Sequence, residues 1–205
     1  ENDFVVQGGL WERGVPSGTL LNLATSGQNV YATNLDGNYS DQTISYLISR
    51  CYDLSSIENP VLKFNMAFDL ELDWDLMNIE YSTDTGDTWN ILGAATDPNW
   101  YNSDRLPNGS DCFNCPGAQW TGTDGTMKEY SYDLAALTNE SNFIFRFNFI
   151  SDQSVNQEGI VIDDVRIEGN LLSVGDFDDK SNFVVYPNPS KNIFNVQWSN
   201  ASSME

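Results

Sequence analysis

The sequence predicts an all-β protein, a two-sheet antiparallel β-sandwich, on three observations. Apolar residues recur with period two along most of the chain, the spacing of strands. The apolar runs are short and separated by clusters of Gly, Asn and Asp, which is turn chemistry. No stretch longer than one or two turns carries a helical period, and Asp133–Thr138 is the one hint of helix.

In chain order, the first expected strands are Val30–Thr33 and Ser45–Ser49. From Val61 onward, Leu62, Phe64, Met66, Phe68 and Leu70 alternate with Lys63, Asn65, Ala67 and Asp69, the pattern of a half-buried strand. Met77–Ser82, Trp89–Leu92 and Glu129–Asp133 follow. Phe143, Phe145, Phe147 and Phe149 then alternate with Ile144, Arg146, Asn148 and Ile150, a strand with two largely apolar faces, and Gly159–Ile167 closes the series. Between Leu92 and Glu129 lies a long segment rich in Asp, Asn, Gly and Thr that carries Trp100, Tyr101 and Trp120. Connections of that length are often functional. After Ile167 the chain turns polar, with Asp176, Asp178 and Asp179, and reads as an acidic linker over 170–181 before an extended segment resumes at Phe183.

Composition narrows the function. The 205 residues carry 30 acidic and 9 basic groups, net charge −21, which opposes a phosphate-backbone partner. Nucleic acid is excluded on that ground, and no apolar run reaches the ~18 residues needed for membrane insertion as a helix. There is no histidine, which removes the Ser-His-Asp triad, the Cys-His pair and HExxH zinc hydrolysis together. With four lysines, Lys-assisted nucleophiles are poorly supplied. Carboxylate chemistry and oxygen-ligated metals remain, and a chain without catalysis is the expectation.

Cys112-Phe113-Asn114-Cys115 is flanked by turn residues, so the pair is expected as a disulfide stapling a loop, with Cys51 as a buried free thiol. A redox CxxC would open a helix, and a four-thiolate zinc site needs a second pair.

Ser82-Thr83-Asp84-Thr85-Gly86-Asp87-Thr88-Trp89 has the Asp-box spacing SxDxGxTW. It predicts a hairpin in which Asp84 accepts from turn amides, Gly86 takes a positive φ and Trp89 packs under the turn. The embedded Asp84-Thr85-Gly86 matches the aspartic-protease signature, but that chemistry needs a second carboxylate and the chain holds no second copy.

Asp69, Glu71, Asp73 and Asp75 recur at spacing two. On one continuous strand they would sit ~6.7 Å apart and repel by roughly 2.5 kcal/mol per adjacent pair at an effective dielectric near 20. They are therefore either solvated around a hairpin tip or neutralised by a hard oxygen-seeking ion, Ca²⁺. In Gly159–Ile167, strict alternation would put Asp163 or Asp164 on an apolar face, where it needs a partner. Arg146, Arg50 or a metal shared with the Asp69–Asp75 cluster would serve. Abundant acids also admit a carboxylate-dependent hydrolase, but nothing singles out an acid and a nucleophile.

These pieces in order resemble a known pattern: Trp11-Glu12-Arg13-Gly14-Val15-Pro16, Val30–Tyr39, Tyr46-Leu47-Ile48-Ser49, Leu62–Asp69, Ile79-Glu80-Tyr81-Ser82, Asn99-Trp100-Tyr101-Asn102, Phe143–Phe147 and the closing Ile162-Asp163-Asp164-Val165. The chain over about residues 2–168 resembles the MAM-like jelly-roll modules attached to secreted bacterial proteases of the immune-inhibitor-A type and to polysaccharide-active or adhesive surface proteins. The resemblance implies a MAM/concanavalin-like jelly roll over 1–169, no catalytic residues, and a structural Ca²⁺ near Asp163 and Asp164. Asp69, Glu71 and Asp75 join that metal set by spacing alone. The several paired cysteines of animal MAM domains are missing. Asn182–Val196, with its Tyr186-Pro187-Asn188-Pro189, is similar to the opening of a type A C-terminal sorting domain of the type IX secretion system, so 182–205 is expected as a truncated, short β segment of that kind. This implies contact with the type IX machinery, a signal peptide already removed, and a secreted or outer-surface location.

The expected function is a non-catalytic secreted or cell-surface adhesion module that binds a carbohydrate. Trp100, Tyr101, Trp120 and Trp74, with Tyr39 in reserve, would form the ligand patch, since flat rings suit sugar faces. The charge favours a neutral glycan. The alternative is a protein-interaction or spacer module accessory to an upstream protease or adhesin, with a neighbouring domain as its partner.

Overall fold

The computed structural model describes residues 4–109 and 112–171, together with the backbone of two strands at 183–186 and 195–198. The chain divides into two compact units, Glu1–Leu171 and Leu172–Glu205.

The first unit is a sandwich of two five-stranded antiparallel sheets. One sheet holds β1 (Phe4–Gln7), β4 (Ile44–Ser49), β9 (Ile144–Ile150), β6 (Leu76–Ser82) and β7 (Asn90–Ile91), in that spatial order. The other holds β2 (Glu12–Gly14), β3 (Val30–Ala32), β10 (Gly159–Leu171), β5 (Ile57–Asp69) and β8 (Thr123–Asp133). The chain passes back and forth between the sheets, as in a jelly roll. Among the described residues the only helical elements are 3₁₀ turns at Leu54–Ser56 and Ala135–Leu137, the second inside the expected helical hint. Strands β1 and β2 carry no alternation of their own and were not expected; they pair along the edges of β4 and β3.

The core follows the period-two pattern. Phe143, Phe145, Phe147 and Phe149 are all fully buried and face Leu62, Phe64, Met66 and Phe68 of the other sheet. The rings of Phe64 and Phe147 meet edge to face at 5.1 Å, joining the two layers. Arg146 points outward, pairs with Glu80 at 2.6 Å and has its guanidinium 3.9 Å from the ring centres of both Tyr46 and Trp89.

The long loop behaves differently from expectation. Trp100, Tyr101 and Trp120 are 4%, 5% and 1% exposed and belong to the core. Their polar ends are satisfied inside it: the Trp100 and Trp120 indoles donate to the Leu92 and Trp100 carbonyls, and the Tyr101 hydroxyl accepts from the Ile79 amide. A short bridge from Met77 to Trp120 stitches the loop onto β6 and another from Ser103 to Gln119 ties its two arms together, so these rings plug the space between the layers.

Residues 172–182 lie outside the described residues, and with them most of the acidic linker expected over 170–181. In the second unit, β11 (Phe183–Tyr186) pairs antiparallel with β12 (Asn195–Trp198). The Pro187-Asn188-Pro189 part of the expected sorting motif lies outside the described residues.

Candidate functional site: an acidic cluster beside an aromatic groove

The Asp-box forms the expected hairpin. Asp84 accepts from the Thr88 amide and hydroxyl at 2.9 and 2.6 Å and from the Ser82 hydroxyl at 2.7 Å, with Gly86 at φ +96°. The Thr88 and Ser82 bonds hold the Asp84 carboxyl down at about 2. The Trp89 indole donates to the Gly86 carbonyl at 3.0 Å. All four oxygen contacts are internal to the turn, so this is a structural element.

The four acidic residues at spacing two do not share a strand. Strand β5 ends at Asp69, and Glu71–Asp75 form a tight turn in which the Asp75 amide donates to the Glu71 carbonyl at 3.1 Å. Asp69 accepts from the Thr123 hydroxyl at 2.7 Å, Asp73 (φ +64°) pairs with Arg105 at 2.6 Å, and Asp75 turns inward to 1% exposure.

Asp163 and Asp164 stand elsewhere. Gly159 is level with Asp69 and Asp163 with Asn65, so four residues of strand, ~13 Å, separate them from the turn. No single ion spans that gap. Arg146, one of the expected partners, pairs with Glu80 instead. The register slips between Asp163 and Arg166, and Asp164 adopts φ +51°, which marks a β-bulge. The extra residue resets the alternation: Ile162, Val165 and Ile167 pack on the core while both carboxylates stay out. Asp163 accepts from the Thr25 and Ser26 amides at 2.8 and 2.9 Å, and Asp164 from the Ser26 hydroxyl at 2.5 Å. Their partners are therefore backbone and hydroxyl groups of the β2–β3 connection.

What the fold does assemble is Glu71, Asp75 and Asp152, whose carboxylate oxygens lie within 4.8 Å of one another. Asp152, in the β9–β10 connection, has no periodic signature and was missed; only the packing of two loop ends reveals it. Asp75 accepts from the Asp152 amide at 2.7 Å and from the Tyr39 hydroxyl in a short bond, while Tyr39 accepts from the Glu71 amide at 3.2 Å. Burial pushes Asp75 up to about 6, with the charges of Asp152 and Asp41 adding to it against the two hydrogen bonds. Glu71 is raised for the same first reason and by Asp152, Asp75 and Asp41. Its Oε2 is buried without a hydrogen-bond partner. Gly159 closes this end: at φ +95°, any Cβ would collide with Thr33, whose hydroxyl accepts the Ile160 amide at 3.0 Å.

Asp152 also belongs to a groove of about 280 Å³ lined by Gln42, Phe113, Asn114, Ser151, Asp152 and Gln153. Phe113 is 60% exposed, and its ring lies 5.7 Å from that of Trp74. Of the four expected ligand aromatics, Trp74 alone remains half-exposed. Phe113 was missed as a ligand candidate, because a CxxC draws attention to its cysteines. Cys112 and Cys115 form the expected disulfide and are buried against Leu76 and Ile150. Cys51 is exposed, not buried: the chain leaves β4 at Ser49, and it is Tyr52 that pairs again, with Phe143.

No family model matches this sequence. Over 155 residues, 76% of the chain, it is 30% identical to Bacillopeptidase F of Bacillus subtilis (strain 168), and the matched stretch is 9% of that protein's length. Among solved structures it is similar to the carbohydrate-binding module TmCBM61 in complex with β-1,4-galactotriose (TM-score 0.46, 10% identity, 82% of this chain and 88% of that one). It is also similar to the K1 cleaved adhesin domain of Lys-gingipain from Porphyromonas gingivalis W83 (TM-score 0.46, 15% identity, 82% and 91%). A third is the family 30 carbohydrate-binding module of a Clostridium thermocellum cellulosomal cellulase (TM-score 0.41, 12% identity, 82% and 86%).

Proposed function

We propose that the chain is a non-catalytic, MAM-like carbohydrate-binding module of a secreted or cell-surface protein, with its ligand groove at the Phe113–Asp152 end of the sandwich. The groove itself carries this reading. It combines an exposed ring, three neutral amides (Gln42, Asn114, Gln153), one hydroxyl and one carboxylate, with no basic residue. An apolar ring face beside amide donors and acceptors suits a neutral sugar, and the absence of a cation disfavours sulfated or uronic chains.

Glu71, Asp75 and Asp152 hold a calcium ion in this reading. The donor set is all carboxylate, which suits a hard cation, and two oxygens on opposite sides of Ca²⁺ lie about 5 Å apart. The buried, unpartnered Glu71 oxygen also fits. Bound there, the ion would neutralise the cluster and brace the loops that wall the groove. Secretion through a type IX machinery rests on the likeness of 182–205 to a sorting domain alone.

Affinity electrophoresis through immobilised neutral polysaccharides (galactan, mannan, xylan, β-glucan) tests the reading. The protein is retarded on at least one of them, and Phe113→Ala and Gln153→Ala lose the retardation while melting as the parent does. Free migration on every gel, or full retardation of both variants, overturns it.

A second reading, an accessory or spacer module of a peptidase, is favoured by the match to a small part of Bacillopeptidase F. It expects no retardation on any glycan and a stable complex with an adjoining peptidase domain.

A further inference from the structure

The two groove residues from the long loop, Phe113 and Asn114, are the two that lie between Cys112 and Cys115. The cysteines sit on the outer face of the β4–β9–β6 sheet, buried against Leu76 and Ile150 rather than between the layers. The backbone turns back between them, with the Cys115 amide donating to the Cys112 carbonyl at 3.3 Å and Cys112 at φ +48°. The tip therefore stands on the disulfide. Beside it, the tip is flanked by Trp74, whose ring lies 5.7 Å from that of Phe113.

We infer that the Cys112–Cys115 disulfide pre-organises Phe113 and Asn114 as the recognition tip of the groove, so that ligand capture requires the oxidised pair. The inference rests on the carbohydrate-binding reading of the same groove. A dithiol reductant breaks the one S–S bond, delivers two electrons and two protons to give two thiols, and is itself oxidised to a disulfide. The ring closed by the bond spans only a sequence separation of 3, so opening it restores less entropy to the unfolded chain than a long loop would, and the sandwich stays folded with a melting temperature lower by several degrees. The tip, by contrast, regains its freedom. Binding must then order two side chains and their backbone again, which weakens capture about tenfold. Cys51 is exposed and outside the groove lining, so its thiol is the same in both states.

The test runs the full chain, oxidised and after dithiothreitol treatment, through the galactan, mannan, xylan and β-glucan gels, alongside the Cys112→Ser/Cys115→Ser double variant. Thermal melting is followed in parallel. Retardation of the oxidised protein, about tenfold weaker in the reduced protein and the double variant while both still melt cooperatively within several degrees of the oxidised protein, supports the inference. Equal retardation in both redox states overturns it while leaving the carbohydrate reading standing. Loss of retardation together with collapse of the melting temperature also overturns it, because the bond would then serve the fold and not the tip. Free migration of the oxidised protein on every gel overturns both.

Discussion

The Asp75 carboxylate hangs the β9–β10 connection on the β5–β6 turn, through its 2.7 Å bond from the Asp152 amide. Because Asp152 also lines the groove, one buried acid couples the proposed ion to the proposed ligand. With the metal chelated, stability should fall as pH rises from about 4 to 6. Folding raises Asp75 from 3.8 to about 6, so the native state binds the additional proton in that window and the contribution is lost above it. The difference is on the order of 3 kcal/mol. Urea unfolding in chelator at pH 4.5 and 7.5 captures about 2 kcal/mol of it, and Asp75→Asn should flatten the dependence.

Calcium should reverse that sign. A cation on Glu71, Asp75 and Asp152 favours the ionised forms, so the stabilisation by Ca²⁺ is present at pH 7.5 and lost as Asp75 is protonated. At about 100 times the dissociation constant the gain is about 2.7 kcal/mol, or several degrees in Tm for a unit of this size. Asp152→Asn should abolish the Ca²⁺ response while raising stability in chelator, because it removes a repelling charge. An equal Ca²⁺ response in Asp152→Asn would place the ion elsewhere.

At the inter-sheet contact, Phe147→Ala should cost about 3–5 kcal/mol by urea unfolding, since a fully buried ring meeting Phe64 is replaced by a void. Phe147→Leu keeps most of the volume and should cost far less.

The Asp-box hairpin should respond locally. Gly86→Ala places a Cβ in ordinary contact with Trp89 at 3.6 Å, so the cost, about 1 kcal/mol, comes from the positive φ. Asp84 is held at about 2, so the support it lends is present above pH 4 and is lost as pH falls through 2. Amide exchange at Thr88 should accelerate in Asp84→Ala, with the core amides unchanged.

Glu158 should control the β2–β3 connection. Its carboxylate accepts the amides of Thr19, Leu20 and Leu21 at 2.8–3.0 Å, and Asp163 holds Thr25 and Ser26 further along. Glu158→Ala orphans three donors and should destabilise by about 1–3 kcal/mol. Limited proteolysis should cut first between Thr19 and Ser26.

Period two along Leu62–Phe68 and Phe143–Phe149 determined the two layers by itself, because a strand needs only its own alternation to choose a buried face. The Asp-box hairpin was equally legible, since every bond it makes lies within seven residues. Three matters were decided only in the tertiary structure. An inserted residue at Asp164 reset the phase of β10 and kept Asp163 and Asp164 out of the core, and one bulge leaves no trace in composition. Trp100, Tyr101 and Trp120 went inside because a strandless loop has no periodicity to say which way its rings face. Glu71, Asp75 and Asp152 met because two connections end at the same edge of the sandwich, a proximity set by strand pairing across more than seventy residues of chain.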